Sequence, residues 1–128
     1  MKEKTIRVLK VEPNKPPEVC KLKNQLHSLQ EAVSIGAHYT GLIEIITLDT
    51  QTCILCNEEG KLIGLTPNRR LGKDILCGVF YVTGQDDEGN LTSLNDDAMQ
   101  FYSEYFKSIE HINSEEVGRY LDASFRIL

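Results

Sequence analysis

The chain has 128 residues, 41% of them hydrophobic and 26% charged, with a formal net charge of −5. That length suits a single domain over residues 1–128 with one sizeable core, and the composition is ordinary for a water-soluble globular protein. The acidic balance disfavours general affinity for DNA or an anionic membrane, while a small anion in a local basic pocket stays compatible with it.

In chain order, "TIRVLKVE" (Thr5 to Glu12) reads as a first strand, closed by the pairing-breaking prolines of "PNKPP". "EVCKLK" reads as a short edge strand because lysines flank it. Ser28 and Glu31 have capping-box spacing and predict a helix from about Leu29 to Ile35, stopped near Gly36. "GLIEIITL" (Gly41 to Leu48) is the clearest strand, short and rich in isoleucine and leucine. "CILCN" and "KLIGL" are expected to pair as a hairpin through "NEEG", with Gly60 in a left-handed position. "DILCGVFYVTG" (Asp74 to Gly84) reads as one strand with two apolar faces, either central or at an interface. Ser93 and Asp96 again have capping-box spacing. The helix they predict carries Leu94, Ala98, Phe101, Tyr102, Tyr105, Phe106 and Ile109 along one stripe. Ser114 starts a shorter helix carrying Val117, Tyr120 and Leu121, and "SFRIL" reads as a closing strand. This order predicts an α+β domain: a curled, mostly antiparallel sheet or small barrel decorated by about three helices.

No phosphate-loop, dinucleotide or zinc-protease motif occurs, and His27, His38 and His111 are dispersed without local partners. The acidic pairs Glu58–Glu59, Asp86–Asp87 and Asp96–Asp97 fall where carboxylates serve turns and helix starts. The residues therefore name no catalytic group and no cofactor. Four cysteines (Cys20, Cys53, Cys56, Cys77) fit reduced thiols. Cys53 and Cys56 have C-x-x-C spacing, but on a strand positions i and i+3 point to opposite faces, so no shared metal is expected. The apolar runs fall far short of the roughly 20 residues that cross a bilayer, and the N-terminus lacks a signal-peptide core, so the expected location is cytoplasmic.

"TPNRRLG" is expected to be a constrained loop presenting Arg69 and Arg70. Forked guanidinium donors suit phosphate oxygens and also stack on bases. Two readings stand: a solvated turn whose arginines pair with Glu58 or Glu59, or an anion site completed by Arg119. Tyr102 and Tyr105, with apolar bodies and polar tips, are the candidates for a wall on which a base stacks.

The stretches "IRVLKVEP", "SLQEAVSIG…GLIEIITL", "CNEEGKLIGLTPNRRL", "GVFYVTG" and "SLNDDAMQFYSEYF" resemble DUF3846, a family of small phage and plasmid proteins. The resemblance covers nearly the whole chain, with "NEEGKLIGLTPNR" its most specific part. The wider pattern is also similar to phage Thoeris anti-defence 1 proteins, which act as sponges for immune signalling nucleotides. That resemblance implies binding without cleavage of cyclic ADP-ribose isomers, and of cyclic trinucleotides in some relatives. It also implies pockets between protomers of a homodimer or hexamer, in the host cytoplasm. Asn68 and Arg69 fall in the family's N-R element, which Arg70 extends, while "AHYT" (Ala37 to Thr40) departs from the usual connection. The leading expectation is a non-enzymatic nucleotide sponge. The others are a protein–protein antagonist of a host defence enzyme and, less favoured, a nucleotide-cleaving enzyme.

Overall fold

Period-two burial organises the sheet. In β1 (Thr5–Val11), Ile6 and Val8 face one side while Leu9 and Val11 face the other. The same split divides β4 (Thr52–Asn57), where Cys53 and Leu55 oppose Ile54 and Cys56. It also divides β7 (Phe80–Gln85), where Tyr81 opposes Phe80 and Val82. With β2 (Glu18–Lys23) and β3 (Ile43–Asp49), these strands lie in the antiparallel order β2-β1-β7-β4-β3. The two-residue β8 (Leu91–Thr92) pairs with the end of β7. The computed structural model describes residues 3–119.

A sheet apolar on both faces needs cover on both. α1 (Leu26–Val33) supplies it on one side, setting Leu29 and Val33 against Ile6, Val8, Leu55 and Tyr81. α2 (Asp96–Tyr105) supplies it on the other through Met99, flanked by Leu94 and Phe106, against Leu9, Ile54, Phe80 and Val82. A short second sheet, β5 (Pro67–Leu71) with β6 (Asp74–Cys77), packs Ile75 and Cys77 against Leu65 and Val117. Val117 belongs to a third helical segment, 114–119.

The expected curled sheet or small barrel is corrected. The fold is α+β with an open antiparallel sheet whose edges, β2 and β3, do not pair with each other. The physical reason is the double-sided apolar patterning: closing the sheet would leave no room for the helix that covers the enclosed face. Of the two places that its apolar faces allowed, β7 takes the central one, between β1 and β4.

Local expectations shift as well. α1 begins at Leu26, with Gln25 at its N-cap and no side-chain cap, so Ser28 lies inside the helix. Asn95, not Ser93, caps α2 by accepting from the Ala98 amide, while Ser93 Oγ accepts from the Arg7 amide. Asn113 caps the third helical segment through the Glu116 amide. "KLIGL" forms turns instead of a strand. Gly60 is required by close approach, not by a left-handed φ: a Cβ there would meet the Cys77 carbonyl at 2.7 Å. Gly78, at φ 85°, breaks the expected Asp74–Gly84 strand into β6 and β7. The expectations on Tyr120, Leu121 and "SFRIL" lie outside the described residues. Among the described residues no helix is long and apolar enough to cross a membrane.

Candidate functional site

"PNRRL" is a strand, not a loop, and a register irregularity sets its chemistry. Pro67 pairs with Cys77 and Arg69 with Leu76, so Asn68 is the extra residue of a bulge. A regular strand would turn one of two neighbours outward; here Asn68 and Arg69 both turn in and are buried, and Arg70 turns out.

Asn68 Nδ2 donates to the carbonyls of Val11 at 2.8 Å and Gly78 at 2.9 Å, and its Oδ1 accepts from Arg69 Nη1 at 2.7 Å. Arg69 also donates from Nη2 to the Lys15 carbonyl at 2.9 Å and from Nε to the Phe106 carbonyl at 3.1 Å. Burial pulls its guanidinium pKa down, opposed by the charge of Glu110. These two side chains are therefore braces. They tie together the β1–β2 loop, the β6–β7 kink and the end of α2.

Arg70 forms a forked pair with Glu116, two bonds of 2.8 Å, and a further 2.8 Å bond with Glu110. Its partners are thus Glu110 and Glu116 and not Glu58 or Glu59. Glu116 and then Glu110 push its pKa further up. Arg119 is exposed, three residues after Glu116 in the same helical segment, and its charge helps Arg70 to lower the Glu116 carboxyl pKa. Tyr102 is half-buried and donates its hydroxyl to Asp49 Oδ2 at 3.1 Å; burial first, and then Asp49, raise its pKa. Tyr105 is exposed on α2, in a hollow lined by Asp97, Gln100, Phe101 and Glu104 with no basic residue. The six expected site residues thus fall in three places, and no guanidinium shares the hollow with Tyr105.

What the braces support is a cleft of about 340 Å³ at one end of the sheet. Its walls come from four segments: Glu12 to Lys15, Ile35–Gly36 after α1, Gly64 to Thr66 before β5, and Gly78–Val79. Four left-handed residues line it, Asn14 (φ 64°), Gly36 (89°), Gly64 (74°) and Gly78 (85°), whereas only Gly72 and Gly89 share that conformation elsewhere among the described residues. Such backbone exposes peptide groups that a Cβ would otherwise cover. Gly78 also donates its amide to the Thr66 carbonyl at 2.7 Å, joining two of the walls.

At the rim Glu12 accepts from Lys10 at 3.2 Å and Lys15 at 3.3 Å. Burial works to raise the Glu12 carboxyl, and the two lysines more than offset it, holding it below the usual value. Lys15 is mostly exposed and can swing towards a ligand. Sequence reasoning missed this cleft because its walls come from four segments distant in the chain; the available signal was the glycines at positions 36, 64 and 78.

Cys53 and Cys56 lie on opposite faces of β4, the first beside Thr83 Oγ1 at 3.2 Å and the second beside Glu44. Among the described residues no group of three or more His, Cys, Asp or Glu side chains is placed to hold a metal ion.

A family model described as Domain of unknown function (DUF3846) matches residues 6–107. No curated protein and no solved structure matches the chain. The matched span holds Asn68, Arg69 and every wall of the cleft, and stops before Glu110 and Glu116. By that span, most of its length, the chain belongs to the DUF3846 family.

Proposed function

We propose that the protein is a non-enzymatic binder that sequesters a small signalling nucleotide in the cleft braced by Asn68 and Arg69. The ligand class comes from the resemblance to phage anti-defence sponges: cyclic ADP-ribose isomers, with cyclic trinucleotides as a second class. The observation that carries a binding role is the gathering of four left-handed residues on the walls of one cleft, with two walls tethered by a fully buried asparagine. Left-handed glycines let backbone approach a ligand closely, and the cleft volume falls within the roughly 300–1,000 Å³ of small-molecule sites.

In this reading Lys15 supplies the positive charge for a phosphate, and Asn68 and Arg69 hold the walls without touching the ligand. Arg70 reaches an anion only by leaving Glu110 and Glu116. Arg119 and the tyrosines serve a pocket only if a second copy brings them to it. Self-association, as a dimer or hexamer, is part of the proposal. It is supported by the exposed Leu26, Leu42 and Ile45 beside the open edge of β3.

The test mixes the protein with a cyclic ADP-ribose isomer until a reporter enzyme detects no free signal, then denatures the protein by heat. Sequestration returns the original molecule in an amount that tracks protein. A product of different mass identifies an enzyme instead. No loss of signal at any protein concentration favours an antagonist that acts by protein contact. Lys15→Glu is expected to weaken capture about tenfold or more, as loss of a charge-assisted bond does.

A further inference from the structure

The outer face of α2 carries a second feature, independent of the cleft. Phe101 and Tyr105, one helical turn apart, are each 57% exposed, with ring centroids 6.2 Å apart and planes tilted by 30°. Asp97 and Glu104 line the same open hollow of about 550 Å³, along one side of the rings. Single exposed apolar side chains are commonplace; two adjacent rings beside carboxylates are a surface with a defined chemistry.

The carboxylates are available. Asp96, next door, is held by Arg7 at 3.1 Å, but Asp97 makes no ion pair among the described residues. Glu104 has only Lys107 at 3.8 Å, with both side chains about 70% exposed. Local helix chemistry does not explain Glu104. It sits in the last turn, which holds no basic residue, so its charge opposes the helix dipole there.

We propose that this face docks a positively charged, arginine-bearing segment of a partner protein. A guanidinium stacks on the exposed rings while its N–H groups reach a carboxylate beside them. Charge excludes the other occupants. A second copy using the same face would bring Asp97 and Glu104 against their own equivalents, in a chain of net charge −5. Nucleic-acid phosphates and anionic lipid headgroups meet the same repulsion. An uncharged apolar partner would bury the carboxylates without pairing them.

The test measures fluorescence anisotropy of a labelled peptide alternating arginine and serine, against one alternating glutamate and serine. The proteins are wild type, the double variant Phe101→Ser/Tyr105→Ser, and Glu104→Lys; all substituted positions are exposed, and circular dichroism melts check that each folds. Saturable binding of the basic peptide alone is expected, weakened about tenfold or more in both variants and by raised salt. Equal binding by wild type and variants would mean diffuse attraction to an acidic protein and overturns the proposal, as does no binding at all. A drop in oligomer mass on native mass spectrometry of the double variant would assign the face to a second copy and overturn it equally.

Discussion

Arg69 donates from Nε to the carbonyl of Phe106, so a side chain buried in β5 closes the C-terminal end of α2. Its other bonds, to Asn68 Oδ1 and the Lys15 carbonyl, are also to neutral oxygens. Arg69→Ala strands these buried acceptors and is expected to cost about 3–5 kcal/mol, a large share of a domain's stability. Arg70→Ala, at an exposed ion pair, should cost far less. Urea unfolding of the two variants checks the contrast; equal losses would mean that Arg69 is not the brace.

Gly78→Ala meets two penalties at once. Its φ of 85° is left-handed, and the new Cβ would lie 2.7 Å from Leu65 Cδ1. A loss of about 2–3 kcal/mol is expected, together with a reshaped cleft. Gly72→Ala is the control: φ is 58° but nothing lies within 4 Å, so only the backbone strain of about 1 kcal/mol remains. Paired thermal melts separate crowding from strain.

Stability should fall on acidification through identifiable carboxylates. Asp49 is held below its ordinary 3.8 chiefly by the Gln51 amide, against burial, with Thr52 and the Tyr102 hydroxyl helping. Glu116 is held below 4.5 chiefly by Arg70. Because the folded values are depressed, these contributions are complete above the unfolded values and vanish as pH drops through the folded ones. Urea midpoints measured from about pH 6 down to about pH 3 should decline below the usual carboxylate range. Asp49→Asn and Glu116→Gln should each flatten that decline. Unchanged profiles in both would remove these groups from the account.

Thiol labelling at neutral pH should order the cysteines. Cys20 is half-buried, on an edge strand, and reacts first. Burial raises all four thiols, Cys56 to about 12 and Cys77 to about 11, but only Cys53, Cys56 and Cys77 are closed off from solvent, so these three should label only on unfolding. Mass spectrometry of alkylated native and denatured protein reads the order directly.

The sequence was most informative where one periodicity acts alone. Strand-like composition marks "TIRVLKV" and "TCILCN", and the two-residue period of a strand sends Cys53 and Cys56 to opposite faces. Lysines on "EVCKLK" mark an edge. It was least informative where one residue changes the count. The bulge at Asn68 hides Arg69 and exposes Arg70, so neighbours that look alike in sequence have different jobs. "KLIGL" misled because a short apolar run fits a strand and a packed turn equally. Half of the aromatic stripe of α2 faces outward because Phe101 and Tyr105 lie around the helix from Met99, beyond the arc that meets the sheet. The cleft depends on four distant segments meeting, and no local pattern encodes such a meeting.

β7 lies between β1 and β4, and those two strands belong to hairpins completed by residues 23 and 57. During synthesis, therefore, both hairpins emerge from the ribosome before the strand that joins them does. Each meanwhile exposes the edge and apolar side chains meant for β7, and only chain beyond Phe80 can unite them. Folding is thus gated by the arrival of one late segment across a long loop, a topology that slows collapse to the native sheet. A nascent chain stalled with Phe80 still inside the exit tunnel should be protease-sensitive throughout, and one extended by a C-terminal linker that brings Phe106 outside it protected. The same layout makes the interval between those points the time when this protein is most exposed to mispairing with its own copies.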